Sequence, residues 1–398
     1  MDIKITPKKL YGKLQAIPSK SQAHRLLICA AFADKQTIIH CPQTNEDINA
    51  TAQCLISIGA QISYQNGSYI VEPVSKIPQE ATLDCYESGS TLRFLLPIVG
   101  ALGIDATFNL AGRLPYRPLS PLWEQMEAKG CRLSRPSDTT VRCQGKLIPG
   151  KFTIDGSVSS QFITGLLFAM ALIDGECSLQ IDGKIESKPY IQMTKDALSL
   201  FGVQTDNSLI RSLFPFHSPG ELTVEGDWSN GAFFLAANTL GSQIEIKNLN
   251  SNSSQGDRMV APVLKALTKH ITVDAADIPD LVPILAVAGG AKYGITFENI
   301  ARLRLKESDR VSSVANMLTA LGSNVETTEN TMTIHPAKYN GCTIDSVNDH
   351  RIAMAAAIAA TITTGSVTIL NAQCVKKSYP TFWETYRDLG GNYEQYIR

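Results

Sequence analysis

Residues 122–133 have the sequence LWEQMEAKGCRL, in which a helical run ends, a glycine follows and a strand begins. Glycine just past a helix end readily takes the left-handed backbone conformation that other residues resist. The same order recurs at Leu55–Gly59–Ile62, Met126–Gly130–Leu133, Leu198–Gly202–Val203, Leu318–Gly322–Val325 and Tyr386–Gly390–Tyr393. A degenerate copy, Leu264 to His270 followed by Ile271 to Val273, lacks the glycine.

These copies predict six units of roughly 70 residues, which is too long for a solenoid repeat. Three units lie on each side of the stretch Ser218–Val224, so we expect two domains with a hinge there. Near the start of each unit, small or polar residues that favour helix N-caps precede an apolar helical run. These stretches are 19–21, 87–91, 157–161, 227–230, 278–280 and 348–351.

Six helix N-termini offer six places where backbone N–H groups and the helix dipole favour an anion. For one copy alone, simple capping is the more ordinary interpretation. Cations near several of these starts oppose the dipole and cost stability unless an anion is bound, which favours a shared anion site. The cations concentrate in short motifs, some at helix starts and others beside turn glycines or prolines, and they are Lys20, Arg25, Arg93, Arg117, Lys306, Arg310, Arg351, Lys376 and Lys377.

Composition excludes several classes of function. The 398-residue chain is 44% apolar and 18% charged with a net charge of -1, which argues against nucleic-acid binding. Nine cysteines without CxxC spacing indicate reduced thiols, and no apolar run is long enough to span a membrane, so we expect a cytoplasmic protein. No GxGxxG, GxxxxGK[ST] or HExxH motif is present, so neither a dinucleotide, a P-loop nor a metal site is expected.

Carboxylates accompany some of the cations. Lys306 to Arg310 have the sequence KESDR, with Glu307 and Asp309 between two cations, and Asp280 follows a proline at a predicted helix start. Two carboxylates near phosphate-binding cations suit proton transfer during addition to an activated alkene. Such charge runs are also common on exposed helix faces, so the spacing alone decides little.

Together these motifs resemble the 5-enolpyruvylshikimate-3-phosphate synthases of the enolpyruvyl transferase family. The resemblance covers the whole chain and lies in nine stretches in the same order: 18–25, 87–93, 117–118, 156–161, 187–190, 278–280, 306–310, 348–351 and 377–380. It implies an α/β (α+β) fold, a two-domain inside-out α/β barrel of six βαβαββ repeats with three per domain. It places residues 15–226 in one domain, 1–14 and 227–398 in the other, and the active site in the cleft between them.

The resemblance also implies a reaction. The enolpyruvyl group of phosphoenolpyruvate moves to the 5-hydroxyl of shikimate 3-phosphate through a tetrahedral intermediate, without a metal or organic cofactor. The implied catalytic residues are Asp280, Glu307, Lys20 and His350. The implied shikimate 3-phosphate ligands are Lys20, Ser21, Arg25, Ser159, Ser160, Gln161, Ser187, Asp280 and Lys306. The implied phosphoenolpyruvate ligands are Lys20, Gly89, Arg117, Gln161, Arg310, Arg351 and Lys377.

Two alternatives and two departures from the family pattern stay open. A related transferase acting on UDP-N-acetylglucosamine shares the repeats, but no cysteine lies between Ala111 and Pro118, where its reactive cysteine is expected. A non-catalytic anion-binding protein on the same scaffold is the second alternative. Glu87 and Ser90 stand where many family members carry Asn and Thr, and Arg302 where some have Asn, so Glu87 either points away from the anion or is neutralised by Arg93. We expect a monomer.

Overall fold

The computed structural model describes residues 1–206, 209–211 and 214–396. Contacts between residues divide the chain into two compact units. The N-terminal unit is Pro18–Val224, and the C-terminal unit combines Met1–Ile17 with Glu225–Arg398. Each unit has its own hydrophobic core.

The described residues form twelve α-helices and twenty-two strands, numbered here in chain order. The helices are α1 Lys20–Ala31, α2 Glu46–Ser57, α3 Gly89–Leu102, α4 Leu122–Ala128, α5 Ser160–Leu172, α6 Lys188–Leu200, α7 Trp228–Thr239, α8 Val260–Ala266, α9 Val282–Gly290, α10 Arg310–Ala320, α11 His350–Ala359 and α12 Phe382–Asp388. Strands of the N-terminal unit are β3 Thr37–His40, β4 Gln61–Gln65, β5 Ser68–Glu72, β6 Glu80–Tyr86, β7 Asp105–Leu110, β8 Cys131–Ser137, β9 Thr140–Gly145, β10 Gly150–Asp155, β11 Glu176–Asp182, β12 Thr205–Asp206, β13 Leu209–Arg211 and β14 Glu221–Thr223. Strands of the C-terminal unit are β1 Asp2–Thr6, β2 Tyr11–Gln15, β15 Gln243–Lys247, β16 Ile271–Asp274, β17 Ile295–Glu298, β18 Val325–Thr327, β19 Thr331–Ile334, β20 Thr343–Asp345, β21 Val367–Leu370 and β22 Asn392–Tyr396.

The predicted βαβαββ repeat is clearest in β6-α3-β7-α4-β8-β9, which forms one four-stranded sheet in the order β6-β7-β9-β8. Strands β6 and β7 are parallel because a helix crosses between them, whereas the hairpin β8–β9 is antiparallel. The same order builds β10-β11-β13-β12 around α5 and α6, and β16-β17-β19-β18 around α9 and α10. The repeat predicted from the helix-ending glycines is therefore confirmed as an α/β unit.

Two repeats borrow a strand from far along the chain. In the N-terminal unit, β14 pairs in parallel with β3, so the last strand of this unit supplies the first strand of its first repeat. In the C-terminal unit, β1 pairs between β21 and β22, and the sheet order is β20-β21-β1-β22. Both sheets are therefore completed by strands from distant parts of the chain.

The degenerate copy is explained by its sheet. Within the described residues, β2 and β15 form a two-stranded parallel sheet followed by α8, without a closing hairpin. The strand predicted at Ile271 to Val273 for this copy is β16, and it instead opens the next repeat by pairing in parallel with β17. The assignment of that strand to the degenerate copy is wrong, because the chain passes from α8 straight into the next repeat.

The five predicted helix-ending glycines all have positive φ, at Gly59, Gly130, Gly202, Gly322 and Gly390.

Within each unit the longer helices lie inside and the sheets lie outside. All residues of α3 from Leu92 to Ala101 are buried, and α5 is buried from Phe162 to Leu172. Helices α3 and α5 approach so closely that a Cβ at Gly165 would lie 2.2 Å from the carbonyl oxygen of Arg93. Strands such as β7 alternate buried and half-buried side chains, as expected for a sheet with one face on the core. This packing brings the N-termini of the buried helices together.

Candidate active site

Three helices of the N-terminal unit begin without an acidic residue in their first turn, although an acid there would stabilise the dipole. Their N-caps are Ser19, Ser88 and Ser159, and each serine oxygen accepts a hydrogen bond from a backbone N–H two or three residues further on. The predicted helix starts are therefore confirmed here. Because the remaining N–H groups keep their partial positive charge, these helix ends can bind an anion.

Lys20 is the first residue of α1, and its Nζ lies 2.7 Å from Oδ2 of Asp47 in the first turn of α2. Both side chains are about one-sixth exposed, at 17% and 16%. The ion pair holds the Lys20 ammonium at the helix start rather than leaving it to move in solvent. Asp47 was not among the predicted site residues, because nothing in its local sequence links it to α1.

Arg25 is buried and ties three helices together. Its Nε donates to Oγ1 of Thr194 at 2.9 Å, its Nη2 donates to Thr164 at 3.3 Å and to the carbonyl oxygen of Tyr190 at 2.9 Å. Its Nη1 donates to the carbonyl oxygen of Ser21 at 2.6 Å. Burial lowers the pKa of Arg25 to about 10, which leaves the guanidinium charged at neutral pH. Arg25 therefore positions the Ser21 turn against α5 and α6.

Two guanidinium groups lie against the start of α3. A Cβ on Gly89 would lie 2.7 Å from Nη1 of Arg117 and 2.9 Å from Nη1 of Arg93, so any side chain there would displace these guanidinium groups. The Nε of Arg117 is buried and has no hydrogen-bond partner among the described residues. A buried donor without a partner costs about 1–3 kcal/mol, which favours a site where a ligand supplies the acceptor.

Gln161 joins the starts of α3 and α5. Its Nε2 donates to Oγ of Ser90 at 3.0 Å, and its Oε1 accepts from Nη1 of Arg93 at 2.8 Å. Arg93 also donates to the carbonyl oxygen of Pro118 at 3.1 Å. The carboxyl of Glu87 lies against Gly112, since a Cβ there would be 2.5 Å from Cδ of Glu87. Glu87 thus packs against Gly112, and its relation to the anion stays a prediction.

Ser187 precedes α6 in a left-handed conformation, with φ 55° and ψ 41°, and is buried. A non-glycine residue pays of order 1–3 kcal/mol for a sparsely populated backbone conformation, and such residues cluster at functional sites. The next turn of this helix carries Tyr190, whose carbonyl oxygen accepts from Arg25. The backbone strain at Ser187 therefore lies beside the Arg25 network.

The C-terminal unit contains a second cluster, centred on Arg310. This side chain is 1% exposed and donates to three carboxylates: Nε to Asp349 at 2.9 Å, Nη1 to Asp280 at 2.5 Å, and Nη2 to Glu307 at 2.6 Å. Burial acts to lower the pKa of Arg310, but the charges of Asp349, Glu307 and Asp280 raise that pKa well above its ordinary value. Arg310 therefore fixes both predicted proton-transfer acids, Asp280 and Glu307.

Asp280 also contacts two further cations. Nη2 of Arg351 lies 3.1 Å from its Oδ2, and Nζ of Lys306 lies 3.7 Å from its Oδ1. Burial acts to raise the pKa of Asp280, but Arg351, Lys306 and Arg310 hold it well below the ordinary range. Burial lowers the pKa of Lys306 to about 8, with Asp280 acting in the opposite direction. This cluster therefore contains an ionised acid beside a lysine that titrates near neutral pH.

The start of α11 is anchored to the same cluster. Its N-cap, Asp349, accepts from the backbone N–H of Arg351 at 3.0 Å and from the hydroxyl of Ser308 at 2.9 Å. Asn348 has positive φ of 58°, and its carbonyl oxygen accepts from Nζ of Lys377 at 2.9 Å. His350, the first residue of α11, is buried. The turn thus brings Lys377 and Arg351 to one helix start.

The predicted site residues therefore fall into two clusters, one in each unit. No group of three or more metal-ligating side chains exists in the part of the chain that the structure describes. None of the described helices is long and apolar enough to cross a membrane. The N-terminal unit holds Lys20, Ser21, Arg25, Gly89, Arg117, Ser159, Ser160, Gln161 and Ser187, and the C-terminal unit holds Asp280, Lys306, Glu307, Arg310, His350, Arg351 and Lys377.

Comparison with known proteins identifies the family of the chain. The family model described as EPSP synthase (3-phosphoshikimate 1-carboxyvinyltransferase) matches residues 5–386. The chain belongs to the EPSP synthase family. It is 36% identical to a 3-phosphoshikimate 1-carboxyvinyltransferase of Clostridium kluyveri over 99% of this chain and 98% of that protein. It is 37% identical to the enzyme of that name from Clostridium novyi, over 98% of each chain.

Solved structures of EPSP synthase family members confirm the fold class. The chain superposes on an EPSP synthase of Acinetobacter baumannii with a TM-score of 0.81 and 23% identity, covering 99% of this chain and 100% of that one. A second structure of EPSP synthase from the same organism gives a TM-score of 0.82 at 22% identity. The expected α/β fold of the EPSP synthase family is therefore confirmed.

Asp257 was not among the residues predicted from the sequence. It is buried beside the C-terminal cluster. The Ser229 hydroxyl donates to its Oδ2, and its Oδ1 has no hydrogen-bond partner among the described residues. Burial, reinforced by the charge of Asp280, raises the pKa of Asp257 to about 7, while Arg351 acts in the opposite direction. In the sequence, Asp257 follows a polar loop and belongs to no run of charged residues, so no local pattern indicated a role for it.

Proposed function

We propose that this chain transfers the enolpyruvyl group of phosphoenolpyruvate to the 5-hydroxyl of shikimate 3-phosphate and releases phosphate. In the first step the 5-hydroxyl gives up its proton to a base as its oxygen bonds to C2 of phosphoenolpyruvate, and an acid adds a proton at C3. In the second step a proton leaves C3, the C2–O bond to phosphate breaks, and the enol ether forms. Membership of the EPSP synthase family over residues 5–386 supports this proposal.

The observation that carries the proposal is that the two clusters suit different parts of the reaction. The N-terminal cluster combines helix N-termini that have no acidic residue in their first turn with the cations Lys20, Arg25 and Arg117. This combination suits the binding of phosphate and carboxylate groups. The C-terminal cluster combines cations with Asp280 and Glu307, which suits proton transfer. The proposed reaction needs both functions, and it needs no metal or organic cofactor. The predicted cleft between the two domains stays a prediction.

The residue roles follow from the resemblance and from these contacts. We propose that Ser21, Arg25, Ser159, Ser160, Gln161, Ser187 and Lys306 bind shikimate 3-phosphate, that Gly89, Arg117, Gln161, Arg310, Arg351 and Lys377 bind phosphoenolpyruvate, and that Lys20 contacts both. Asp280 and Glu307 transfer protons, with Lys20 and His350 assisting. Many cations are required because two phosphates and two carboxylates must leave water together.

The charges around Asp280 explain how substrate binding activates it. In the free protein Arg351, Lys306 and Arg310 hold the pKa of Asp280 low, so its carboxylate is a weak base. Anionic substrate groups that bind these cations would offset their charge, and the pKa of Asp280 would then rise towards a range where it accepts a proton. The base therefore becomes effective only when substrates are present.

A phosphate-release assay tests the proposed function. We expect phosphate release that requires phosphoenolpyruvate and shikimate 3-phosphate together, and none when a UDP-sugar replaces shikimate 3-phosphate. Glu307→Gln should lower the turnover number at least about 100-fold, as expected for loss of a proton-transfer group. Binding of shikimate 3-phosphate, measured by calorimetry, should stay within about threefold because Glu307 is proposed to act on protons.

The matched control is Glu326→Gln, which changes an exposed acid of the same unit paired with His335 at 2.9 Å. Its turnover should equal that of the unmodified protein. Phosphate release with a single substrate would contradict the proposed function, and full turnover by Glu307→Gln would contradict the role of Glu307.

We also propose that the protein acts as a cytoplasmic monomer. The net charge of -1 provides no overall attraction for nucleic acid or anionic lipid. All nine cysteines are free thiols, and eight of them are buried. Light scattering after size exclusion should give a mass near 43.2 kDa.

A further inference from the structure

Four buried side chains form a hydrogen-bonded chain through the first three helices of the N-terminal unit. Nδ1 of His24 lies 2.7 Å from Oγ1 of Thr51, which lies 2.7 Å from Oγ1 of Thr91. The Thr91 hydroxyl then donates to Oγ of Ser88 at 2.7 Å. All four residues are buried, so water does not compete for these bonds.

The direction of every bond in this chain follows from its last bond. A hydroxyl has one proton to donate, and Thr91 gives its proton to Ser88. The Thr51 hydroxyl must therefore donate to Thr91, and Thr51 must in turn accept a proton from His24. This fixes His24 as the tautomer that carries its proton on Nδ1.

The other ring nitrogen of His24 is a bare acceptor. Its Nε2 is buried and has no hydrogen-bond partner among the described residues. Burial and the neighbouring charges of Lys20 and Arg25 lower the pKa of His24 well below its ordinary value. A second proton would create an unpartnered buried cation beside two others, so the ring stays neutral. The imidazole also packs edge-on against Phe94, with ring centroids 6.2 Å apart, which restricts its rotation.

The hydroxyl chain ends at the turn that carries Gly89. Ser88 is the N-cap of α3, and its Oγ accepts from both the hydroxyl and the backbone N–H of Thr91, the latter at 3.3 Å. The next residue is Gly89, whose backbone lies against the guanidinium groups of Arg117 and Arg93. A shift of Ser88 would therefore move the part of the backbone that Arg117 contacts.

Helix α2 holds α1 at two points one turn apart. Asp47 binds Lys20 at 2.7 Å, and Thr51, four residues later, binds His24 at 2.7 Å, which is itself four residues after Lys20. Residues four apart lie on the same face of a helix, so these two bonds fix the rotation of α1 against α2. Thr51 then passes the constraint to α3 through Thr91.

We propose that His24 is a positioning residue that, through Thr51 and Thr91, holds the Gly89 turn in register with Lys20 for binding phosphoenolpyruvate. This inference rests on the proposed function, in which Lys20 and Gly89 contact that substrate. The charged and titratable groups near the ring are Lys20 and Arg25 on its own helix and Asp47 on α2. His24 itself transfers no proton, because its only proton is committed to Thr51.

The tautomer is tested first, without any activity measurement. Long-range proton–nitrogen NMR of the histidine side chains should show one ring with a protonated Nδ1 and a bare Nε2, unchanged between about pH 5.5 and pH 8.5. His24→Asn, which keeps an N–H donor near the Nδ1 position, assigns that signal by removing it. A protonated Nε2, or a ring that titrates in this range, would overturn the inference.

Kinetics test the positioning role. Thr51→Val removes the hydroxyl at nearly constant volume, and we expect the KM for phosphoenolpyruvate to rise about tenfold, the equivalent of one lost hydrogen bond. The turnover number and the KM for shikimate 3-phosphate should stay within about twofold, and Thr51→Ser should restore the KM for phosphoenolpyruvate. An equal rise of both KM values, or no rise, would overturn the inference.

The matched control is Thr361→Val in the C-terminal unit. Thr361 is also buried, but its hydroxyl donates to the carbonyl oxygen of Ile358 at 2.7 Å within the same helical segment. This variant should lose similar stability and keep both KM values. If Thr51→Val does not fold, Thr51→Ser and the tautomer measurement decide the question. Absence of phosphate release by the unmodified protein would contradict the proposed function, while the tautomer result would still stand.

Discussion

Two buried arginines, Arg25 and Arg310, show how differently the two clusters handle charge. Arg25 donates to hydroxyl and carbonyl oxygens of Ser21, Thr164, Thr194 and Tyr190, all of which are neutral. Arg310 donates to three carboxylates. Burial lowers the pKa of Arg25 to about 10, whereas the pKa of Arg310 is raised well above its ordinary value.

This difference has a functional consequence. Neutral partners hold Arg25 in place without cancelling its charge, so the charge stays available to an anionic ligand. Carboxylate partners offset the charge of Arg310, so this arginine, besides its proposed contact with phosphoenolpyruvate, fixes the positions of Asp280, Glu307 and Asp349. We infer that the N-terminal cluster serves to bind anions, whereas the C-terminal cluster both binds anions and holds the acids in place.

The largest expected effect comes from removing each arginine in turn. Arg310→Met should destabilise the protein by about 3–5 kcal/mol, because it leaves the buried Asp349 and the half-buried Asp280 and Glu307 without this cation. Arg25→Met should cost less, about 1–3 kcal/mol, because its stranded partners are neutral acceptors. Urea unfolding measures both, and Trp228 and Trp383 report on the unit that contains Arg310. An equal loss for the two variants would contradict the comparison.

The next largest effect is expected for Gly89→Ala. The added methyl group would lie 2.7 Å from Nη1 of Arg117 and would displace a group that we expect to bind phosphoenolpyruvate. The KM for this substrate should rise on the order of 100-fold, because a displacement near 1 Å can cost that much. Affinity for shikimate 3-phosphate should change little.

Gly365→Ala is the control for that substitution. Its added methyl group would meet Cα of Gly341 at an ordinary 3.5 Å in the other unit, so both KM values should stay the same. If Gly89→Ala weakens both substrates equally, the assignment of Gly89 to phosphoenolpyruvate is wrong.

The fold was largely predictable because its signals are local. A helix that ends at Gly130 and a serine that caps a helix at Ser88 both depend on the residue's own backbone, and short sequence windows carry that information. What failed was the degenerate copy, since the strand Ile271–Asp274 belongs to the next repeat through its pairing with β17. Strand pairing is non-local, so the missing glycine alone did not show where one repeat ends.

The candidate site was predictable in its residues but not in their partners. The motif around Lys20 indicated a cation at a helix start, yet Asp47 is its partner only because α2 packs beside α1. The hydroxyl chain from His24 to Ser88 likewise crosses three helices. Asp257 lies in no charge pattern, and its raised pKa depends on burial. Such features require the packed structure.

Asp257→Asn tests how burial affects the charge of an acid in the C-terminal unit. The pKa of Asp257 is raised from 3.8 to about 7 in the folded protein, so the folded state holds a proton that the unfolded chain releases at lower pH. Stability from this group is therefore complete below about pH 4 and is lost as the pH rises to about 7. The asparagine variant should be more stable than the unmodified protein by about 1–3 kcal/mol at pH 8.

The measurement for Asp257→Asn is the urea midpoint at several pH values, and the gain should vanish near pH 4. Asp345→Asn is the control, because Asp345 is exposed and lies at the end of a strand in the same unit. Its midpoint should follow that of the unmodified protein at every pH. A gain for Asp257→Asn that does not depend on pH would mean that packing, not charge, is responsible.

The smallest expected effect concerns Lys306, the cation of the C-terminal cluster that is proposed to bind shikimate 3-phosphate together with the N-terminal cluster. Burial lowers its pKa to about 8, so below that pH the ammonium is charged and can bind the phosphate of shikimate 3-phosphate. Above that pH the free protein loses the proton, and the KM for shikimate 3-phosphate should rise by up to about tenfold between pH 8 and pH 9. Lys306→Arg keeps its charge throughout, so its KM should stay flat over this range. A KM for the unmodified protein that is also flat would show that Lys306 does not bind this phosphate, and the cations that bind shikimate 3-phosphate would then all belong to the N-terminal cluster.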